Sequence, residues 1–247
     1  MTSEFRAGNY RFIPSVFQYS SGAGAHSDFE IERVRFDTWL PLAEGFARVA
    51  DYIRASGRPL TALCGCELRS PTVVDENGFK TFNEHYVKTL AEWGLYDGKV
   101  NPVARTNVCL EVNPPAEPSF HAFSFTRPKA GAKANFVIAG GAEARSGAGT
   151  YAERITRFRE FGEDAMRDKV RFTVGAMEDR LAAFGATWRD TTAVQIYTVR
   201  NFHGVVLDEL VKRGASRSGM TWHFARPPVV DLEFEMDCRR VTHETLL

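Results

Sequence analysis

The chain runs through one order of elements and then begins that order again, and this constrains its fold more than any single motif. Residues 10–19 are aromatic and β-branched and run into a small-residue turn at 20–26, while alternation over 29–36 predicts a further strand. Pro41 opens a helix in which Leu42, Phe46, Val49, Ala50 and Ile53 recur at three- and four-residue steps, with Gly57 as its stop. A strand over 60–68 follows, then a helical period through Phe82, Tyr86, Val87, Leu90 and Trp93, then strands from Ala104 and over 120–125. Residues 128–134 have linker composition, and past them the order returns. The strand 135–139 ends in Gly140-Gly141, the counterpart of 20–24. A helix with Val174, Met177, Leu181 and Phe184 stops at Gly185, a strand covers 191–199, and 201–211 is a shortened second helix. The sequence therefore predicts an α+β protein with two tandem repeats, 1–127 and 135–247. Each is expected to be a mixed sheet with helices on one face.

The second half carries extra material. Residues 150–168 are charged and amphipathic, with Ile155, Phe158 and Phe161 at helical steps, and predict a solvated helix lying over the domain rather than an active-site lid.

Composition excludes several functions. Thirty-one basic residues balance thirty-one acidic ones in 247, so no global field draws the chain to nucleic acid or an anionic membrane. No apolar run approaches the roughly 20 residues of a membrane span, and the first residues lack a signal pattern, so a cytoplasmic protein is expected. The glycines at 22 and 24 fit neither phosphate-binding fingerprint and suit close backbone packing. Of four cysteines, Cys64 and Cys66 flank one glycine in a strand, which would place both thiols on one face. They read as buried reduced thiols without the companion ligands a zinc site needs.

Candidate chemistry gathers in residues 216–235. Arg217 leads a short strand, a Pro-Pro break follows, and then Leu232, Phe234 and Met236 alternate with Glu233, Glu235 and Asp237. A guanidinium on one strand and a carboxylate on the next could converge on a substrate carboxylate and a proton or water. Spacing alone favours the plainer reading, in which Arg217 and Glu233 only pair with each other or with solvent. The same pattern, an arginine followed by Pro-Pro, stands at Arg105 and Pro114-Pro115.

The order of elements, with Phe82-Asn83-Glu84-His85-Tyr86 and Pro102-Val103-Ala104-Arg105, resembles the RidA/YjgF family of imine and enamine deaminases over nearly the whole chain, twice. The stretches 10–20 and 64–71 resemble in particular its double-length members that act on 2-aminomuconate-type dicarboxylates. The resemblance implies a chorismate-mutase-like fold in each repeat. It also implies an arginine that binds the substrate carboxylate, and a glutamate in the last strand that directs water. These roles fall on Arg105 and Arg217, and on Glu233. The first repeat has His121 in place of the acid, and Ser21 matches the family's serine where the second repeat has Ala139. Catalytic Glu233 and Arg217, with Arg105, Ser21, Asn107 and His121 binding substrate, form the expected site, and no metal or organic cofactor is implied.

The activity so implied is hydrolytic deamination of 2-aminomuconate-type enamine or imine dicarboxylates, chlorinated or not, in the breakdown of aromatic compounds. The alternatives are a general deaminase of 2-aminoacrylate-type intermediates and a ligand-binding or chaperone-like scaffold without catalysis. The expected partners are a small enamine or imine carboxylate and further copies of the chain, a homo-oligomer with a trimer as its first form, with neither nucleic acid nor membrane.

Overall fold

The structure, a computed structural model, describes residues 1–247. In chain order the N-terminal half contains β1 (Ser3–Phe5), β2 (Tyr10–Ile13), β3 (Gly22–Ala25), β4 (Phe29–Pro41), α1 (Leu42–Ala55), β5 (Leu63–Ser70), α2 (Glu76–Glu92), β6 (Ala104–Leu110) and β7 (Ser119–Pro128). The C-terminal half contains β8 (Phe136–Ala142), α3 (Tyr151–Arg154), α4 (Glu163–Ala183), β9 (Ala193–Tyr197), α5 (His203–Val206), β10 (Thr221–His223), β11 (Ala225–Arg226), β12 (Glu235–Arg240) and β13 (His243–Leu246). The α1 start follows from Pro41, which cannot continue a strand ladder but suits a helix entry. Helix α2 is capped by Asp75, whose carboxylate accepts from the Gly78 N–H at 2.7 Å.

One sheet runs β1-β2-β3-β8-β12-β9-β10 and the other β11-β6-β5-β7-β4-β13. Each contains a four-strand unit of the same connectivity, β4-β7-β5-β6 in one and β8-β12-β9-β10 in the other. In both units the last strand in sequence lies antiparallel between the first and the third, and the third and fourth are parallel. A parallel pair needs a crossover, which α2 supplies in one unit and α5 in the other. By its partners β8 occupies the place of β4, not that of residues 20–24.

The two halves exchange their edges. Strands β2 and β3 extend the second unit's sheet through pairing of β3 with β8. In return β11 and β13 extend the first unit's sheet at β6 and β4. Edges that a separate repeat would expose are thereby covered, and residues 128–134 join halves that share both sheets.

Alternation decides which side chains face which layer. Phe46, Val49, Ile53, Leu68, Tyr86, Leu90 and Phe120 form the core between α1, α2 and one sheet. Val170, Val174, Met177, Leu181, Phe234, Met236 and Cys238 form its counterpart under α4. Between the sheets lies a smaller apolar cluster of Tyr10, Phe12, Ile31, Cys64, Ala104 and Val137. A register shift between Leu63 and Gly65 turns Cys64 toward this cluster while Cys66 packs on the helix side, so the two thiols do not share a face as their spacing suggests.

Residues 150–168 are not one helix. Helix α3, opened by a capping box between Thr150 and Glu153, stops at Ile155, whose backbone is extended; left-handed backbone follows at Arg157 (φ 54°) and Arg159 (φ 57°), and the chain is helical again only from Glu163, where α4 begins. Ile155 and Phe158 turn inward instead, against Phe79, Val229 and Leu232. This strap is held by a buried ion pair. Lys169 Nζ lies 3.2 Å from Glu143 Oε1, both side chains are fully buried, and Lys169 also donates to the Thr156 carbonyl at 2.9 Å. Glu143 in turn accepts from the backbone N–H groups of Glu233 (2.7 Å) and Phe234 (3.1 Å), which fixes the approach to β12. No helix is long and apolar enough to cross a membrane.

Removing one member of such a pair strands the other charge, at a cost of about 3–5 kcal/mol. Urea unfolding of Lys169→Met should show that loss. Adding Glu143→Gln to Lys169→Met should recover part of it, because glutamine removes the stranded charge and its one carbonyl oxygen still accepts from one of the two backbone donors.

Candidate active site

Strand β6 is paired along one side by β5, but on the other side only near its ends. Ser20 bridges Ala104 there, and β11 pairs with Cys109 and Leu110. The free stretch between them faces β8 and the start of β12, and a cavity of about 200 Å³ opens at this junction. Its walls come from both halves of the chain: residues 15–21, α2, β6, β8, the strap and the 228–232 turn.

Arg105 is the second residue of β6 and only 3% exposed. Phe79, Phe82 and Tyr86, at three- and four-residue steps on α2, bring their rings to 5.7, 5.5 and 4.8 Å from its guanidinium carbon, and Tyr19 adds a fourth at 4.9 Å. The aromatic box holds the cation by its ring faces and leaves the hydrogen-bonding fork unspent, with Nη1 buried and without a partner. Asn107, two residues on, accepts from Ser70 Oγ at 2.9 Å through Oδ1 and leaves Nδ2 unpartnered. Ser21 lines the opposite wall, its backbone N–H bonded to Ile13 O at 2.9 Å and its carbonyl to Ala139 N at 3.1 Å.

The one carboxyl in the lining is Glu235, at the start of β12. It lies over Gly140, where a Cβ would overlap its carboxyl oxygen, so the glycine is what admits the acid. Burial pushes Glu235 up to about 8, with the nearby Asp237 adding to the rise, while Arg180 and Arg105 pull against it. At neutral pH this group is mostly a carboxylic acid and can donate a proton. Asp237, on the same face of β12, is anchored by Thr106 Oγ1 (2.8 Å), Tyr197 Oη (2.8 Å) and Gln195 Nε2 (2.9 Å).

Four guanidiniums line the cavity with that acid, Arg105, Arg145, Arg154 and Arg180, and Arg180 and Arg105 act on its charge. Arg145, Arg154 and Arg180 donate only to backbone carbonyls, of Glu153, of Gly149 and Arg145, and of Ala139 and Gly140 respectively. None of the four is neutralised by a carboxylate side chain. Four cations around one largely neutral acid make a site for a small polyanion. No three His, Cys, Asp or Glu side chains converge as a metal site would require.

Of the residues expected from sequence, Arg105, Asn107 and Ser21 line this cavity and the other three lie elsewhere. Arg217 sits in a turn between the left-handed glycines Gly214 (φ 97°) and Gly219 (φ 82°), before β10 begins, and its Nη1 donates to the Arg189 carbonyl at 2.7 Å on the surface. Glu233 precedes β12 and is held by Arg200 through hydrogen bonds of 2.7 and 3.1 Å, with Arg226 at 3.7 Å. His121 on β7 lies among Arg69, Glu67 and Arg33, where burial and then Arg69 push its imidazole down to about 2. Glu235, Arg180, Arg145 and Arg154 take the places in the cavity instead. One sequence signal marks two of them. The Gly140-Gly141 pair leaves room on one side for the Glu235 carboxyl and on the other for the Arg180 guanidinium, whose Nη1 would lie 2.9 Å from a Cβ at Gly141.

The family described as 2-aminomuconate deaminase CnbZ matches residues 2–245. The 2-amino-5-chloromuconate deaminase of Comamonas testosteroni is 48% identical over 245 residues, 98% of each chain. Among solved structures, a chorismatase superposes with a TM-score of 0.53 at 13% identity, covering 90% of this chain and 77% of its own, a likeness of fold alone. The chain belongs to the CnbZ family of 2-aminomuconate deaminases.

Proposed function

We propose that the protein deaminates 2-aminomuconate-type enamine or imine dicarboxylates by hydrolysis, in the degradation of aromatic compounds, with the Arg105 and Glu235 cavity as its active site. The observation that carries this reading is the charge of the cavity: four guanidiniums without acidic partners line it together with one buried carboxyl. That excess suits a dianion better than an enamine with one carboxylate.

The chemistry follows from the groups present. The Arg105 fork takes the carboxylate next to the amino-bearing carbon and fixes the chain against Glu235. Glu235 gives its proton to a carbon of the conjugated system, and the enamine becomes an iminium ion. The carboxylate left behind is stabilised by Arg180 and Arg105, the two cations that already act on it. Water then adds to the iminium carbon and returns a proton to Glu235. In the resulting carbinolamine the nitrogen takes up that proton, the hydroxyl gives its own back to Glu235, the C–N bond breaks, and ammonia leaves a 2-oxo dicarboxylate. Glu235 ends protonated, as it began. Asn107 Nδ2 is an unspent donor in the same wall for the substrate or the water.

The matching connectivity of the two four-strand units supports descent from a duplicated RidA-like unit. In that reading one full site forms between the halves, so homo-oligomerisation, including the expected trimer, is not needed to complete it.

Ammonia release from enzymatically generated 2-aminomuconate tests the assignment. Arg105→Gln should lower kcat/KM by about two orders of magnitude, as loss of a buried charged contact does, and Glu235→Gln should lower kcat by about 10²–10⁴. Arg217→Ala should stay within about twofold of wild type. A wild-type enzyme that releases no ammonia would refute the reading.

The raised Glu235 fixes two pH effects. Activity requires the protonated acid, so kcat/KM should fall as pH rises through about 8, and the residual activity of Glu235→Gln should lack that limb. Stability has the same sign. A carboxyl raised from 4.5 to about 8 takes up a proton on folding, so its contribution declines as pH rises between those values. The melting temperature of Glu235→Gln should therefore gain on wild type from pH 5 to pH 8.

A further inference from the structure

Arg180 has no role in the sequence reading and stands in the wrong layer for a substrate contact. It belongs to α4, on the helix side of its sheet, whereas the cavity opens where β6 meets β8 and β12. Its guanidinium reaches the cavity over Gly141, where a Cβ would lie 2.9 Å from Nη1 and 3.0 Å from Nη2. Nη1 is fixed by the carbonyls of Ala139 (2.8 Å) and Gly140 (3.3 Å), and no acid pairs with the group. Its remaining donors are unspent.

We propose that Arg180 binds the second carboxylate of the substrate, and that the Gly140-Gly141 pair exists to let it and Glu235 reach the same cavity. This deepens the deaminase reading and rests on it for the identity of the substrate, though not for the binding of a dicarboxylate. Of the other two arginines, Arg154 lies 4.3 Å over the Tyr151 ring and spends its donors on Gly149 and Arg145, so it braces the strap. Arg145 is exposed and bonded to the Glu153 carbonyl. Arg105 and Arg180 come from different halves of the chain, and both act on the Glu235 charge. A dicarboxylate held at one end by each would pass its conjugated carbons across Glu235. The second clamp thus sets which carbon is protonated as well as how many carboxylates a substrate must have.

Two non-reacting probes separate this from catalysis: muconate, with a carboxylate at each end of a six-carbon diene, and sorbate, the same diene with one. Calorimetric titration of the wild type should find muconate bound at least about tenfold more tightly than sorbate, the order of one charge-assisted contact. Arg180→Gln should weaken muconate by about 10–100-fold and leave sorbate within about twofold. Arg105→Gln should weaken both. Gly141→Ala, which leaves the arginine in place but crowds it, should reproduce the selective loss, and thermal melts check that each variant is folded. Equal affinity of the wild type for the two probes, or equal loss of both in folded Arg180→Gln, would overturn the proposal. Absence of ammonia release with the muconate preference intact would overturn the deaminase reading and leave the second clamp standing.

Discussion

Glu235 can stay protonated at neutral pH only because two sheets, one from each four-strand unit, close around it. In water its carboxyl would ionise near 4.5. In the cavity burial and Asp237 raise it to about 8 against the pull of Arg105 and Arg180. Other features of the site follow from housing that group. Gly140 is bare because the carboxyl lies against it, and Gly141 is bare because Arg180 crosses there. Arg105 is boxed by aromatic rings instead of an acid, which keeps a cation in the cavity without neutralising it.

The fold maintains this arrangement at a cost in stability. A buried neutral acid, the unneutralised guanidiniums of Arg105 and Arg180 and an unpaired β6 edge each oppose folding when the cavity is empty. Exchange of edge strands between the sheets and the Lys169–Glu143 pair under the strap work in the other direction. Glu143 has a double part here. It pins the strap through Lys169 and the Thr156 carbonyl, and it sets the two residues before Glu235 through their backbone N–H groups. A helix-side salt bridge thereby determines where the acid points.

The sequence pattern made the α+β fold class readable because it is written in periodicity, which depends on local spacing. Arg105, Asn107 and Ser21 were readable through the resemblance. The exchange of edges between halves leaves no such trace, since β11 and β13 are two and four residues long and take their partners from the other half. Glu233 and Glu235 share a face of one alternating pattern, and only the point at which β12 begins distinguishes the one at the cavity from the one paired with Arg200. The Arg217 strand was lost to two left-handed glycines that alternation does not register. The strap's apolar residues recur at helical steps as one helix would require, but an extended Ile155 and left-handed Arg157 and Arg159 turn Ile155 and Phe158 into the core between elements. Arg180 carried no signal of its own, and only the bare surface at Gly141 shows how a helix residue gains the cavity.

Titration of the Glu235 side chain tests most directly whether folding creates a proton donor there. In wild-type protein carrying ¹³C-labelled glutamate, with Glu235→Gln assigning the resonance, the carboxyl carbon should titrate with a midpoint near pH 8. A midpoint in the ordinary carboxylate range, below about 5, would mean that the group is ionised at neutral pH and that the acid in this mechanism is not Glu235.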